Sequence, residues 1–168
     1  MEQVTRRPRQ EWEAQYVSDY VAARYPGVSV RIHARLGSTP RSLTGEELGP
    51  EEERLLRVRM RWADAIVFGA QETVVIEGKL RASEYLKAIG ELELYLELLP
   101  HTSDYTHLLA DKIVGELLYP VADPTVEVLA RRKGFRVVQW APSWLSAYLG
   151  AIPSRSVRPI RPEEAALL

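Results

Sequence analysis

The chain contains no cysteine, which excludes a disulfide framework and any thiolate metal site from its 168 residues. No apolar run is long enough to span a bilayer, and the opening MEQVTRRPRQEWE lacks the apolar segment of a signal peptide. The expectation is therefore a soluble, cytoplasmic protein with no membrane partner. Charge of one sign is also lacking. A net charge of −1 gives no global attraction to nucleic acid, so any DNA contact must use local basic patches such as Arg6, Arg7 and Arg9, or the run from Arg131 to Lys133. Lysine is scarce, 4 residues against 18 arginines, which makes each lysine an uncommon occupant of its position. There is no Walker loop, dinucleotide fingerprint, serine nucleophile motif or internal repeat.

What is present is organised around Trp62 to Leu80, WADAIVFGAQETVVIEGKL. Two apolar runs rich in β-branched and aromatic residues, Ala65 to Phe68 and Thr73 to Ile76, flank a polar turn at Gly69 to Glu72, which is the pattern of a β-hairpin. With the turn centred between Ala70 and Gln71, opposite residues have numbers that sum to 141, so Asp64 faces Glu77 and Trp62 faces Lys79. Side chains alternate along a strand, which gathers Asp64, Glu77 and Lys79 into one charged patch on an apolar hairpin. Facing carboxylates repel, and a divalent cation resolves that conflict with the hard oxygen ligands Mg²⁺ prefers. A lysine two residues past the second carboxylate is then placed to orient or deprotonate a water, or to stabilise charge on a phosphate. The same spacing also describes the solvated face of an exposed hairpin, with Lys79 merely paired to Glu77.

The remaining elements supply the context. Gln10 to Tyr25 reads as a helix ended by Pro26-Gly27, with Trp12, Tyr16, Val17, Tyr20 and Val21 as its apolar stripe and Glu13 near the middle of that stripe. Glu13 is directed to the acidic patch, or it reaches an arginine or lies at a frayed, exposed helix start. Val28 to Leu36 alternates as a strand with Arg31, His33 and Arg35 on one face, and Gly37 to Pro50 reads as a loop. The segment from Pro50 to Met60 is either a helical turn or a strand leading into the hairpin. Ser83 is placed to cap a helix to about Leu99, with Tyr85, Ile89, Leu92, Leu96 and Leu99 as its core stripe. Leu94 and Leu98 form a second apolar edge on this 83–99 helix, either core or the seam of a homodimer. Lys112 to Val121 reads as a strand, Asp123-Pro124 as the start of a helix to Lys133 with Gly134 as its terminator, and Phe135 to Trp140 as a further strand. Strand, helix, strand implies a right-handed parallel crossover. Pro142 begins a short helix through Leu149. The length suits one domain over residues 1–152, followed by a flexible tail from Pro153 with three prolines and three arginines.

The predicted architecture is α/β, a mixed central sheet flanked by helices in the order αβββαβ with a further αβ unit. With Asp64 and then Glu77-Gly78-Lys79 on the hairpin, it resembles the PD-(D/E)XK nuclease superfamily over roughly residues 10 to 140. The resemblance implies a restriction-endonuclease-like core in which Asp64 and Glu77 hold Mg²⁺ or Mn²⁺, the Gly78 carbonyl adds a ligand, and Lys79 serves the attacking water. It further implies that Glu13 matches the acidic residue that several branches carry on the first helix. The implied activity is metal-assisted attack of water on a DNA phosphodiester, with Arg31, Arg35 and Arg81 positioning the backbone. The chain departs from the pattern at Ala63, where the superfamily name has proline. It departs again at Glu91, where the RecB-like branch has a glutamine four residues before a tyrosine; Tyr95 itself matches. The competing expectation is a catalytically inactive protein of the same fold, a nucleic-acid-binding subunit or a component of a phage or mobile-element assembly.

Overall fold

The short turn after Phe68 sets the register of the central hairpin. Strands β2 (Arg61–Phe68) and β3 (Glu72–Gly78) pair antiparallel, from Phe68 opposite Thr73 to Ala65 opposite Ile76. Every pair sums to 141, as expected, and Gly69 N–H closes the turn onto the Glu72 carbonyl at 3.1 Å. The structure, a computed structural model, describes residues 9–37, 49 and 61–146. Most of the expected 37–50 loop, the 50–60 segment and the tail from Pro153 lie outside the described residues. Those from Arg9 to Ala141 belong to one compact unit, and Pro142 to Ser146 to a second. In the second unit Leu145 N–H bonds the Pro142 carbonyl, while the remainder of the helix expected to reach Leu149 is outside the described residues.

Five strands form one mixed sheet in the order β1-β2-β3-β4-β5. Strand β1 (Ser29–Leu36) is antiparallel to β2, while β4 (Lys112–Tyr119) is parallel to β3 and β5 (Arg136–Gln139) is parallel to β4. Parallel neighbours need crossover helices, and the chain supplies α2 (Tyr85–Leu98) between β3 and β4, then α3 (Pro124–Arg132) between β4 and β5. Helix α3 starts as expected: the Asp123 carboxylate accepts from Thr125 N–H and Val126 N–H, Pro124 follows, and Gly134 with φ 80° ends the turn. The start of α2 differs from expectation. Ser83 lies inside a 3₁₀ turn, Ala82–Glu84, and the helix begins after Glu84 with no side-chain cap. The extended backbone at Arg81 leads straight into that turn, which places Ser83 inside it rather than at the helix start. Pro100 likewise sits in a 3₁₀ turn, Leu99–His101, which continues past the end of α2.

The apolar stripes go where their spacing directs them. Tyr85, Ile89, Leu92 and Leu99 are buried in a cluster with Ile66, Val75, Leu117 and Tyr119. On α1 (Arg9–Arg24), Tyr16, Val17, Tyr20 and Val21 are buried. Leu98 packs partly against the core cluster, whereas Leu94 of the same edge stays exposed. One buried charge, Glu116 on β4, is fully served: Tyr20 Oη donates at 2.8 Å, Tyr25 Oη at 3.0 Å and Arg136 Nη1 at 3.3 Å. Three donors offset the cost of removing that carboxylate from water.

Helix α1 contacts the hairpin closely at Gly78. A Cβ built there would lie 2.5 Å from Val17 Cγ2, so only glycine lets the helix approach the end of β3. Gly78→Ala is expected to cost about 2 kcal/mol of stability through this overlap. Gly90→Ala on α2, where a Cβ meets nothing within 4 Å, should be neutral or stabilising by up to about 1 kcal/mol. Urea denaturation of the two variants tests the contrast.

Candidate active site

Asp64 sits where β2 leaves both of its ladders. On one side the β1–β2 pairing runs through Ile32 opposite Ala65, resumes at Ala34 opposite Ala63, and skips His33 and Asp64 between them. His33 is the non-glycine residue with positive φ, at 50°, a backbone state that costs free energy and is held by its surroundings. On the other side the β2–β3 ladder ends at Ala65 opposite Ile76, one pair short of Asp64 and Glu77. The Asp64 carboxylate instead accepts the Gly78 N–H through Oδ2 at 2.8 Å. An interruption of this kind re-aims side chains, and here it opens a cleft of about 560 Å³.

Four carboxylates from four elements line that cleft: Glu13 from α1, Asp64 from β2, Glu77 from β3 and Glu91 from α2. Lys79 lies among them and Tyr95 borders them. The Lys79 backbone N–H extends the β3–β4 register by bonding the Leu118 carbonyl at 2.9 Å, which fixes the root of the side chain. Its ammonium donates to Glu77 Oε1 and lies 3.0 Å from Glu91 Oε2. Glu91 in turn lies 3.2 Å from Lys87 one helical turn earlier. The result is one buried ammonium shared by two carboxylates, with two more carboxylates beside it.

The electrostatics record that imbalance. Burial pushes Asp64 up to about 6, opposed by the Gly78 N–H and by Lys79, and assisted by the Glu13 and Glu91 charges. Burial, and then the Asp64 charge, push Glu77 up to about 9, against the pull of Lys79. Burial acts to lower Lys79, but Glu77 and Glu91 outweigh it and hold the ammonium charged. Glu91 is lowered despite burial because Lys79 bonds it, and Tyr95 is raised by burial and by the surrounding carboxylates. Glu77 is 2% exposed, and its Oε2 has no hydrogen-bond partner. Glu116, equally buried, has three donors. The contrast separates a carboxylate satisfied by protein donors from one that needs a proton or a cation.

The structure thus gathers Asp64, Glu77, Lys79, Glu13 and Tyr95 around one cleft. Glu13 lines the cleft with the acidic patch. For Gly78 the contact seen is its N–H on Asp64 and its close approach to α1, reasons for glycine independent of any metal. Arg31, Arg35 and Arg81 are not among the residues lining the cleft. Arg35 lies 3.5 Å from Asp104, and the break at His33 ends the expected common face of Arg31, His33 and Arg35. Sequence reasoning left out Glu91, treated as a departure although it stands one turn before Tyr95, and His33 and Trp62, whose rings stack at 4.5 Å with 11° between planes. The long connection before Arg61 hid the register that sets His33 against Asp64.

Among the described residues no three His, Cys, Asp or Glu side chains are grouped closely enough to hold a metal ion, Lys79 being bonded by two of the carboxylates. The donor chemistry nonetheless fits a hard divalent cation, with carboxylate oxygens throughout and the buried Glu77 Oε2 without a hydrogen-bond partner. No protein-family model matches the chain, and no curated protein matches it.

A carboxyl group whose folded pKa is raised supports the fold fully below its ordinary value near 4.5, and loses that support as pH rises toward about 9. In chelator, wild-type stability is therefore expected to fall with rising pH, and Glu77→Gln to flatten the decline by about 2 kcal/mol between about pH 5 and about pH 9. Thermal melts across that range measure the slope.

Proposed function

We propose that the protein is a metal-dependent DNA nuclease that hydrolyses phosphodiester bonds with Mg²⁺ or Mn²⁺. The observation that carries the reading is the convergence, at the break in both ladders, of Asp64, Glu77 and Lys79 with an unsatisfied buried Glu77 oxygen. The order α, three antiparallel-paired strands, α and a parallel strand supports it, since it is the αβββαβ arrangement of the PD-(D/E)XK nuclease superfamily that the sequence resembles.

In this reading Asp64 and Glu77 hold the cation, with Glu13 and Glu91 contributing negative charge at its edge. When bound, the cation supplies Lewis-acid polarisation of a phosphoryl oxygen and acidification of water. The chain's own groups do the rest. Gly78 N–H fixes the Asp64 carboxylate, so that ligand is preorganised. Lys79, largely buried and held charged by Glu77 and Glu91, presents its ammonium to the cleft, where it would bond an attacking water or a phosphate oxygen. Glu91 restrains Lys79 and limits the approach of anions. The Tyr95 hydroxyl borders the same space and stays protonated, available as a donor.

A second reading is favoured by one observation. The carboxylates are not grouped as metal ligands among the described residues, and Lys79 is held by two ion pairs. That arrangement suits a protein of the same fold that binds nucleic acid, or joins an assembly, without cutting.

Cleavage of a panel of plasmid, linear, single-stranded and branched DNA separates the two. Wild type with Mg²⁺ or Mn²⁺ is expected to cut at least one form, with Asp64→Ala and Lys79→Ala each reducing the rate by ~10²-fold or more. Absence of cutting in every metal, with Mn²⁺ leaving the melting temperature unchanged, sinks the catalytic reading.

A further inference from the structure

Beside the acidic cleft lies a second one of about 520 Å³, and the two share Trp62, Glu91 and Tyr95 as a common wall. Its character is different. Arg61 and Lys87 enter the lining, together with Leu94 and the bare backbone of Gly90 on α2. Trp62, on the inner strand β2, is 41% exposed, although a large aromatic ring gains by burial. It is held open by its stack on His33, at 4.5 Å and 11°, and His33 reaches that position only through its positive φ of 50°. A strained backbone that supports a rigid, exposed aromatic plane next to a polar cleft has no role in packing the core.

We infer that this second cleft binds an unpaired nucleotide of a single-stranded DNA segment, its base on the Trp62 ring and its phosphates toward Arg61 and Lys87. The inference rests on the nuclease reading only for where the strand leads, namely past Tyr95 into the acidic cleft. The chemistry of the surface carries the rest. An exposed indole offers stacking to any base, but only to a base already out of its duplex. Two cations in one small cleft suit one or two phosphates, whereas duplex binding draws on many contacts along both strands. Lys87 also lies 3.2 Å from Glu91 and so stands at the boundary where the acidic cleft begins. A strand held there would cross from a basic, aromatic surface to the carboxylates around Lys79.

The test is binding rather than cutting. Fluorescence anisotropy of a labelled oligothymidine and of a blunt duplex of equal length is measured with the full chain in Ca²⁺, and probe integrity is checked on a gel. The single strand is expected to bind more tightly than the duplex, and Trp62→Ala to weaken it about tenfold while Trp62→Phe keeps most of the affinity. Arg61→Ala should reduce the salt dependence of single-strand binding by about one phosphate contact. Quenching of tryptophan emission by oligothymidine should largely disappear in Trp62→Phe. Equal binding of duplex and single strand, single-strand affinity in Trp62→Ala within about twofold of wild type, or no DNA binding at all overturns the inference. A protein that binds the single strand through Trp62 but cuts nothing keeps this site and loses the nuclease reading. One that cuts duplex without single-strand preference does the reverse.

Discussion

The Lys79 ammonium is shared between Glu77 and Glu91 inside a wall of packed side chains, and much of the local structure follows from the need to keep that charge cluster in place. Carboxylates out of water are stable only if paired, protonated or bound to a cation. Glu77 Oε1 takes the Lys79 ammonium while its Oε2 lies buried, and Asp64 accepts the Gly78 backbone N–H. The protein places them there because β2 leaves its ladders at Asp64, because β4 anchors the backbone of Lys79, and because α1 approaches closely enough over Gly78 to bring Glu13 to the same cleft.

Stability and function pull apart at this point. A methyl group at Gly78 overlaps Val17, so the site depends on a tight helix contact. The carboxylates next to it resist ionisation because burial raises both Asp64 and Glu77. One register position away on the neighbouring strand, opposite Ile76, the same sheet shows the alternative solution, Glu116 bonded by two tyrosines and an arginine. A chain able to satisfy one buried glutamate so fully has left another short of partners, and shortfall of that kind clusters where proteins bind ions or do chemistry.

The hairpin was legible in the sequence because a short turn between β-branched runs leaves one register, and that register alone sets Asp64 against Glu77. The helix stripes were legible for the same reason of period, and Asp123-Pro124 announced α3 through its cap. The start of α2 was not, since a 3₁₀ turn and a serine cap draw on similar residues. The pairing of β1 with β2 was hidden by the long connection between them, and with it the break at His33, the stack on Trp62 and the reassignment of Arg35 to Asp104. Glu91 was visible as an acid in an unexpected place. Its role as the second partner of Lys79 depends on how α2 lies against β3, which spacing along one helix does not contain.

The most direct test of the central claim, that these carboxylates are built to take a divalent cation, is a calorimetric titration of the chelator-treated protein with Mn²⁺. Saturable binding to wild type that disappears in Asp64→Asn/Glu77→Gln, in a variant that still folds, is the predicted result. Absence of binding in wild type, or equal binding in both proteins, would contradict it and leave the charge cluster as a feature of the fold alone.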